Sequence, residues 1–140
     1  KLSKEAMKEL GYLVGTWKVE GRSGDTPYKG TQTVKWSRGK HCLVINWKGS
    51  VGDVQVHGSG VIGWDTLEEQ ILDVAFIANV GHRTMRWTVE TGTVWEGEMV
   101  GSAFGDDVKT AIRLEKKGPE SYLVTINAAG EFPEPLETGI

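Results

Sequence analysis

Chemistry needs polar groups that converge, and this chain offers few. It holds three histidines, His41, His57 and His82, a single cysteine, Cys42, and a carboxylate pair two residues apart, Glu96 and Glu98. The histidines share no metal-ligand spacing. No Gly-x-Ser-x-Gly motif, phosphate loop or dinucleotide fingerprint occurs. Two carboxylates on one strand face could divide acid and base work, but beside Arg86 they read as a solvated outer face. Cys42 reads as a small buried hydrophobe with no disulfide partner. Neither a catalytic residue, a metal nor a cofactor is expected.

What remains is a sparse set of polar groups on the inner side of strands: Gln32, His41, Thr110 and the Tyr122 hydroxyl. His41 stands out. Inward, beside Trp36 and with Gln32 on the same face, it would give an apolar room one polar handle, as small-molecule pockets are usually lined. The alternative is a histidine bonded to a backbone carbonyl.

The elements that must hold these residues follow from composition and period. A chain of 140 residues is one domain by length and can bury a sizeable core without staples. Sixteen basic and nineteen acidic side chains give a net charge of -3, with no basic stripe for nucleic acid. No apolar run reaches the roughly 20 residues of a membrane helix, and no signal-peptide core opens the sequence. A soluble, cytoplasmic chain is expected. It begins at Lys1 rather than at Met, compatible with processing or with a domain cut from a longer protein. The anomalies are 19 glycines and 6 tryptophans. Together they point to tightly bent sheet around bulky side chains.

Residues 3–14 place Ala6, Leu10, Leu13 and Val14 on one helical stripe, with Ser3 as cap and Gly15 as stop. From Thr16 the period becomes two, with Trp17 and Val19 on one face. Further strands are expected over 28–37, 41–48, 53–64, 70–78, 82–103 as a hairpin, 107–116 and 121–129. An Arg38-Gly39 loop would set Trp36 opposite His41 and Val34 opposite Leu43. The next register would pair Trp47 with Val54 and Lys48 with Asp53. Leu72, Val74 and Phe76 would face inward, with Phe76 opposite Met85. A two-residue loop at Thr91-Gly92 would bury Glu96 and Glu98 in an apolar layer, at a cost of several kcal/mol. A three-residue loop, 90–92, instead pairs Trp87 with Trp95, Met85 with Gly97, and Arg86 with Glu96 outside. The tail, 130–140, carries Pro133 and Pro135 and reads as loop.

Successive hairpins without interleaved helices make an antiparallel meander. Closure removes its edges, so the expected fold is an all-β, up-and-down barrel of about nine to ten strands with a short N-terminal helix. The start Gly15-Thr16-Trp17 resembles the Gly-x-Trp opening of calycin barrels, the group of lipocalins, fatty-acid-binding proteins and haem-binding nitrobindins. Leu13-Val14-Gly15-Thr16-Trp17, the segment 58–65 (Gly-Ser-Gly-Val-Ile-Gly-Trp-Asp) and Trp95-Glu-Gly-Glu98 resemble an uncharacterised bacterial family of lipocalin-like domains of unknown function. The resemblance implies a calycin-like barrel and no particular reaction. A haem-binding His near the C-terminal end is missing, since His82 is the last histidine. Arg113, on the expected outer face, does not match the carboxylate-binding Arg of fatty-acid carriers.

The leading functional expectation is a binding domain for a small apolar or aromatic molecule. Trp36, Trp47, Phe76, Met85, Trp87, Trp95 and Met99 would line its site, with His41, Gln32 and Tyr122 at the polar end. Inner glycines at 58, 60, 97 and 101 would leave room for it. Two alternatives stand beside it: a homodimeric or partner-binding module using outer Val44, Val61, Ile71 and Ile77, and an isomerase, cyclase or hydrolase with His41 as base.

Overall fold

From Gly15 onward the chain runs as strands, as its change of period predicts. The computed structural model describes residues 7–23, 26–90, 94–118, 121–127 and 135–139. The strands are β1 Gly15–Ser23, β2 Thr26–Trp36, β3 Leu43–Val51, β4 Val54–Asp65 and β5 Gln70–Ile77. They continue as β6 Gly81–Glu90, β7 Val94–Ala103, β8 Asp106–Gly118, β9 Ser121–Asn127 and β10 Pro135–Gly139. Each pairs antiparallel with the next, and β10 lies between β9 and β1, so the up-and-down ring closes.

Within the tail expected to be loop, residues 135–139 therefore supply the closing strand, while 130–134 and 140 lie outside the described residues. Pro135 is its first residue, where a missing N–H is tolerated. Among the described residues, closure leaves no strand without a neighbour on both sides.

One end of the barrel is sealed by a 3-10 helix, Met7–Leu13, within the stretch 3–14 where a helix is expected. Residues 3–6 of that expectation lie outside the described residues. The tighter helix changes which side chains face inward. With three residues per turn, Met7, Leu10 and Leu13 align on one side, and all three are buried. They press on Trp17, which is fully buried and donates its indole N–H to the Leu13 carbonyl at 2.9 Å. Tyr12 reaches the far wall, its hydroxyl 2.8 Å from the Gly118 carbonyl and 2.6 Å from that of Ser121. Val34, Leu43, Ile62, Trp87, Trp95, Leu114 and Tyr122 belong to the same core.

Hairpin registers differ from those expected, and most differences preserve the faces. Between β2 and β3 the chain turns over residues 37–42, so Trp36 pairs with Leu43, Val34 with Ile45 and Gln32 with Trp47. Ser37 closes this turn: its N–H donates to the Cys42 carbonyl at 2.9 Å, and its hydroxyl accepts from the Cys42 N–H at 3.1 Å. Strand β3 runs on to Val51, and Gly52-Asp53 forms the next turn. Trp47 thus faces Gly58, and Lys48 faces His57, not Asp53. Each shift is an even number of residues, and an even shift keeps every side chain on its side.

The β6–β7 hairpin shows how a wrong register can rest on a sound parity argument. Trp87 pairs with Gly97, Met85 with Met99 and Arg86 with Glu98, instead of the pairings expected from the loop over 90–92. The odd residue that keeps Glu96 and Glu98 outside enters as a bulge between Trp87 and Val89. Residues 91–93 lie outside the described residues. Both indoles face inward, with ring centroids 6.1 Å apart in an edge-to-face arrangement.

Candidate functional site

Strand β5 is the element whose face the sequence reading inverts, and the inversion builds the site. A three-residue turn, 78–80, with Asn79 at φ 67°, joins β5 to β6 and pairs Ile77 with Gly81 and Phe76 with His82. Against the expected Phe76–Met85 pairing this is an odd shift, so the two faces exchange. Ile71, Asp73 and Ala75 are buried, while Val74 and Phe76 are exposed. Phe76, expected in the ligand pocket, is 72% exposed on the outer surface. Ile71, expected on the outside, is in the core.

The exchange carries a carboxylate inside. Asp73 stands opposite Met85, and Arg83, two residues along β6, stands opposite Ala75, so the charges are diagonal neighbours on the inner face. Arg83 Nη2 lies 3.8 Å from Asp73 Oδ2. That distance is an ion pair without a hydrogen bond. Asp73 Oδ1 and Arg83 Nε are buried and have no hydrogen-bond partner. Burial pushes the Asp73 carboxyl above the ordinary carboxylate range, with the Arg83 charge acting against it.

Aromatic groups frame the pair. The Arg83 guanidinium carbon sits 4.9 Å from the centre of the Trp47 ring, a cation–π contact of about 0.5–2 kcal/mol. Trp47 in turn occupies the space in front of Gly58. Burial raises the Tyr28 hydroxyl above its ordinary pKa, and the field of Arg83 lowers it. Trp47 and Tyr28 are only half-buried, and Val54, at the inward position where β4 begins, is 48% exposed. The interior therefore loosens toward the turns at 52–53 and 78–80, the end away from the helix.

The residues expected to form a pocket do not share one site. Met85, Trp87, Trp95, Met99 and Tyr122 are buried, and Trp36 packs against the same core. Gln32 and Tyr122 come together, Gln32 Nε2 donating to the Tyr122 hydroxyl at 2.9 Å. Tyr122 also meets Trp17 edge-on at 4.6 Å. Two of them lie against the charged pair: Trp47 under the Arg83 guanidinium and Met85 opposite Asp73. His41 is corrected outright: it is exposed in the β2–β3 turn, with Nδ1 3.0 Å from the Arg38 carbonyl oxygen and 3.5 Å from Ser37 Oγ. The two-residue loop that would have turned it inward is replaced by a longer one.

Room is also distributed differently. The inner glycines do not open a cavity. A side chain at Gly60 would strike the Val74 carbonyl and Ala75, one at Gly97 the Arg86 carbonyl, and one at Gly101 the His82 carbonyl. These positions admit neighbouring strands at close range. Under the helix the void among Leu10, Tyr12, Leu13, Trp95, Leu114 and Lys116 is about 10 Å³, barely the space of one water. A larger hollow of about 240 Å³ is formed by Trp47 and Gly58 with the outward-facing Thr31, Thr33, Asn46, Lys48, His57 and Ser59.

Asp73, Arg83 and Tyr28 are the site residues that sequence reasoning missed. A signal was present: in β5 a lone acid sits between two apolar sets of similar size, so alternation alone does not place Asp73 outside. Among the described residues no cluster of His, Cys, Asp and Glu suits a metal ion, and no helix is long and apolar enough to cross a membrane. No family model matches the chain, and no curated protein shows significant similarity to it.

Proposed function

We propose that this chain is a calycin-like, non-enzymatic binding barrel that takes up a small, largely apolar or aromatic molecule at the end away from the helix. The supporting observation is the Asp73–Arg83 pair: a buried acceptor and a buried donor, both without partners, on the inner wall beside Trp47. Groups of this kind cost folding free energy, on the order of 1–3 kcal/mol each when left unmet, and a ligand that satisfied them would recover it. The helix-covered end serves as the rigid base, because its indoles and aliphatic side chains fill it. Trp47, half-buried and stacked under Arg83, would contact the ligand. Gln32 and Tyr122, spent on each other, would form the floor.

The test is a titration of the full chain with small amphiphiles while Trp fluorescence is followed, comparing the native protein with Trp47→Phe. Saturable quenching or enhancement that is lost in Trp47→Phe supports the reading. No change with any amphiphile, together with an unaltered thermal midpoint, would refute it.

A second reading has its own observation. On the outer face Val44 pairs with Val61, Val61 with Val74, Val74 with Thr84 and Thr84 with Val100. All four valines are exposed, and Phe76 adjoins the row. Such a stripe across five strands suits self-association. Sedimentation of the native protein and of Val61→Lys distinguishes the cases: a dimer that the substitution dissociates supports it, and a monomer at high concentration removes it.

A further inference from the structure

The charge and hydrogen-bonding balance around Asp73 and Arg83 constrains what an interior ligand can be. With Asp73 ionised the two residues carry opposite charges, and with Arg83 Nη2 3.8 Å from Asp73 Oδ2 the formal charge of the pair is zero. Adding an anion would set it against the Asp73 carboxylate on a wall where that residue is only 6% exposed. Adding a cation would set it against Arg83, whose positive charge already faces the Trp47 ring. Either leaves an unbalanced charge in a poorly solvated place. What the pair lacks is different: one hydrogen-bond donor for Asp73 Oδ1 and one acceptor for Arg83 Nε. A single neutral group offering an N–H beside a C=O supplies both without changing the charge.

We infer that the interior site selects ligands whose polar end is a neutral donor–acceptor group of the carboxamide or lactam kind, and that it rejects free carboxylates and ammonium groups on the same tail. This rests on the interior-binding reading above and sharpens it to a ligand class. Asp73 and Arg83 are then specificity residues as a pair, each excluding the ligand charge that the other alone would attract.

Octanamide, octanoate and octylammonium share one tail and differ only in the head, so calorimetric titration of the full chain with each at neutral pH isolates the head group. Octanamide is expected to bind more tightly than either ion by about ten-fold, the scale of one unmet buried polar group. Two variants invert the logic. Asp73→Asn leaves Arg83 unopposed and should move preference toward octanoate. Arg83→Gln leaves Asp73 unopposed and should move it toward octylammonium. Circular dichroism checks that each variant is folded, and the pair is used so that one misfolded variant does not remove the test. A merely structural role for the two residues would weaken all three ligands alike. Octanoate binding the native chain as tightly as octanamide overturns the inference while leaving interior binding in place. Binding of none of the three overturns both.

Discussion

The Trp47 indole fills the space that a side chain on Gly58 would need, and the two residues face each other across the β3–β4 ladder. This contact seats the indole so that Arg83 can lie over it. Gly58→Ala should therefore displace Trp47 and destabilise the protein by about 1–3 kcal/mol, the usual cost of overpacking. Gly60→Ala should cost more. There the new methyl would meet the Val74 carbonyl, which is backbone and cannot swing aside. Urea unfolding ranks the two, and only Gly58→Ala should also shift the Trp emission that reports on Trp47.

The Asp73 carboxyl gives a pH signature with a fixed sign. Burial holds its pKa above the ordinary value, opposed by Arg83. The folded protein then keeps the proton to higher pH than the unfolded chain does, so Asp73's stabilising contribution is complete below the unfolded pKa and is lost as pH rises through the folded one. Asp65 and Glu115 behave in the opposite sense, held low mainly by side-chain hydrogen bonds from Arg86 and Lys117. Their contributions are lost as pH falls, and they are common to the native chain and to Asp73→Asn. The stability difference between these two proteins, native minus variant, should fall as pH rises from roughly 4. A difference independent of pH would contradict the burial of Asp73.

These groups also show what the sequence could and could not disclose. Even register shifts between β2, β3 and β4 left the faces of Val34, Leu43, Trp47 and Ile62 as alternation predicts, so the barrel and most of its core were legible. Strand β5 was not, because Ile71, Ala75 and Ile77 compete with Leu72, Val74 and Phe76 almost evenly for the inside. Bulk favoured the wrong set. What decided the outcome was a three-residue turn at 78–80 whose length cannot be read from alternation alone. His41 failed for a similar reason, since Ser37 closes a loop longer than the tight turn that Gly39 suggests.

His41→Ala offers a direct check on that correction. The imidazole is exposed and holds only the turn at Arg38 and Ser37. Its removal should change stability by no more than about 0.5 kcal/mol, as at other surface positions, and should leave octanamide binding unchanged. A large loss of affinity in this variant would restore His41 to the interior.

Tyr12→Phe and Trp17→Phe compare two ways of fastening the helix to the barrel. Both side chains donate to backbone carbonyls, but Tyr12 has a single proton to divide between Gly118 and Ser121 and lies near the surface. Water can replace it, so Tyr12→Phe should cost about 0.5–1.5 kcal/mol. Trp17 is fully buried, and its loss strands the Leu13 carbonyl and removes the edge contact with Tyr122. An unmet buried acceptor of about 1–3 kcal/mol adds to the void left by the smaller ring. Trp17→Phe should then be the more costly by about 2 kcal/mol or more, measured as unfolding free energy in urea. Equal costs would mean that burial gives the Trp17–Leu13 hydrogen bond no advantage over the more exposed Tyr12 contact.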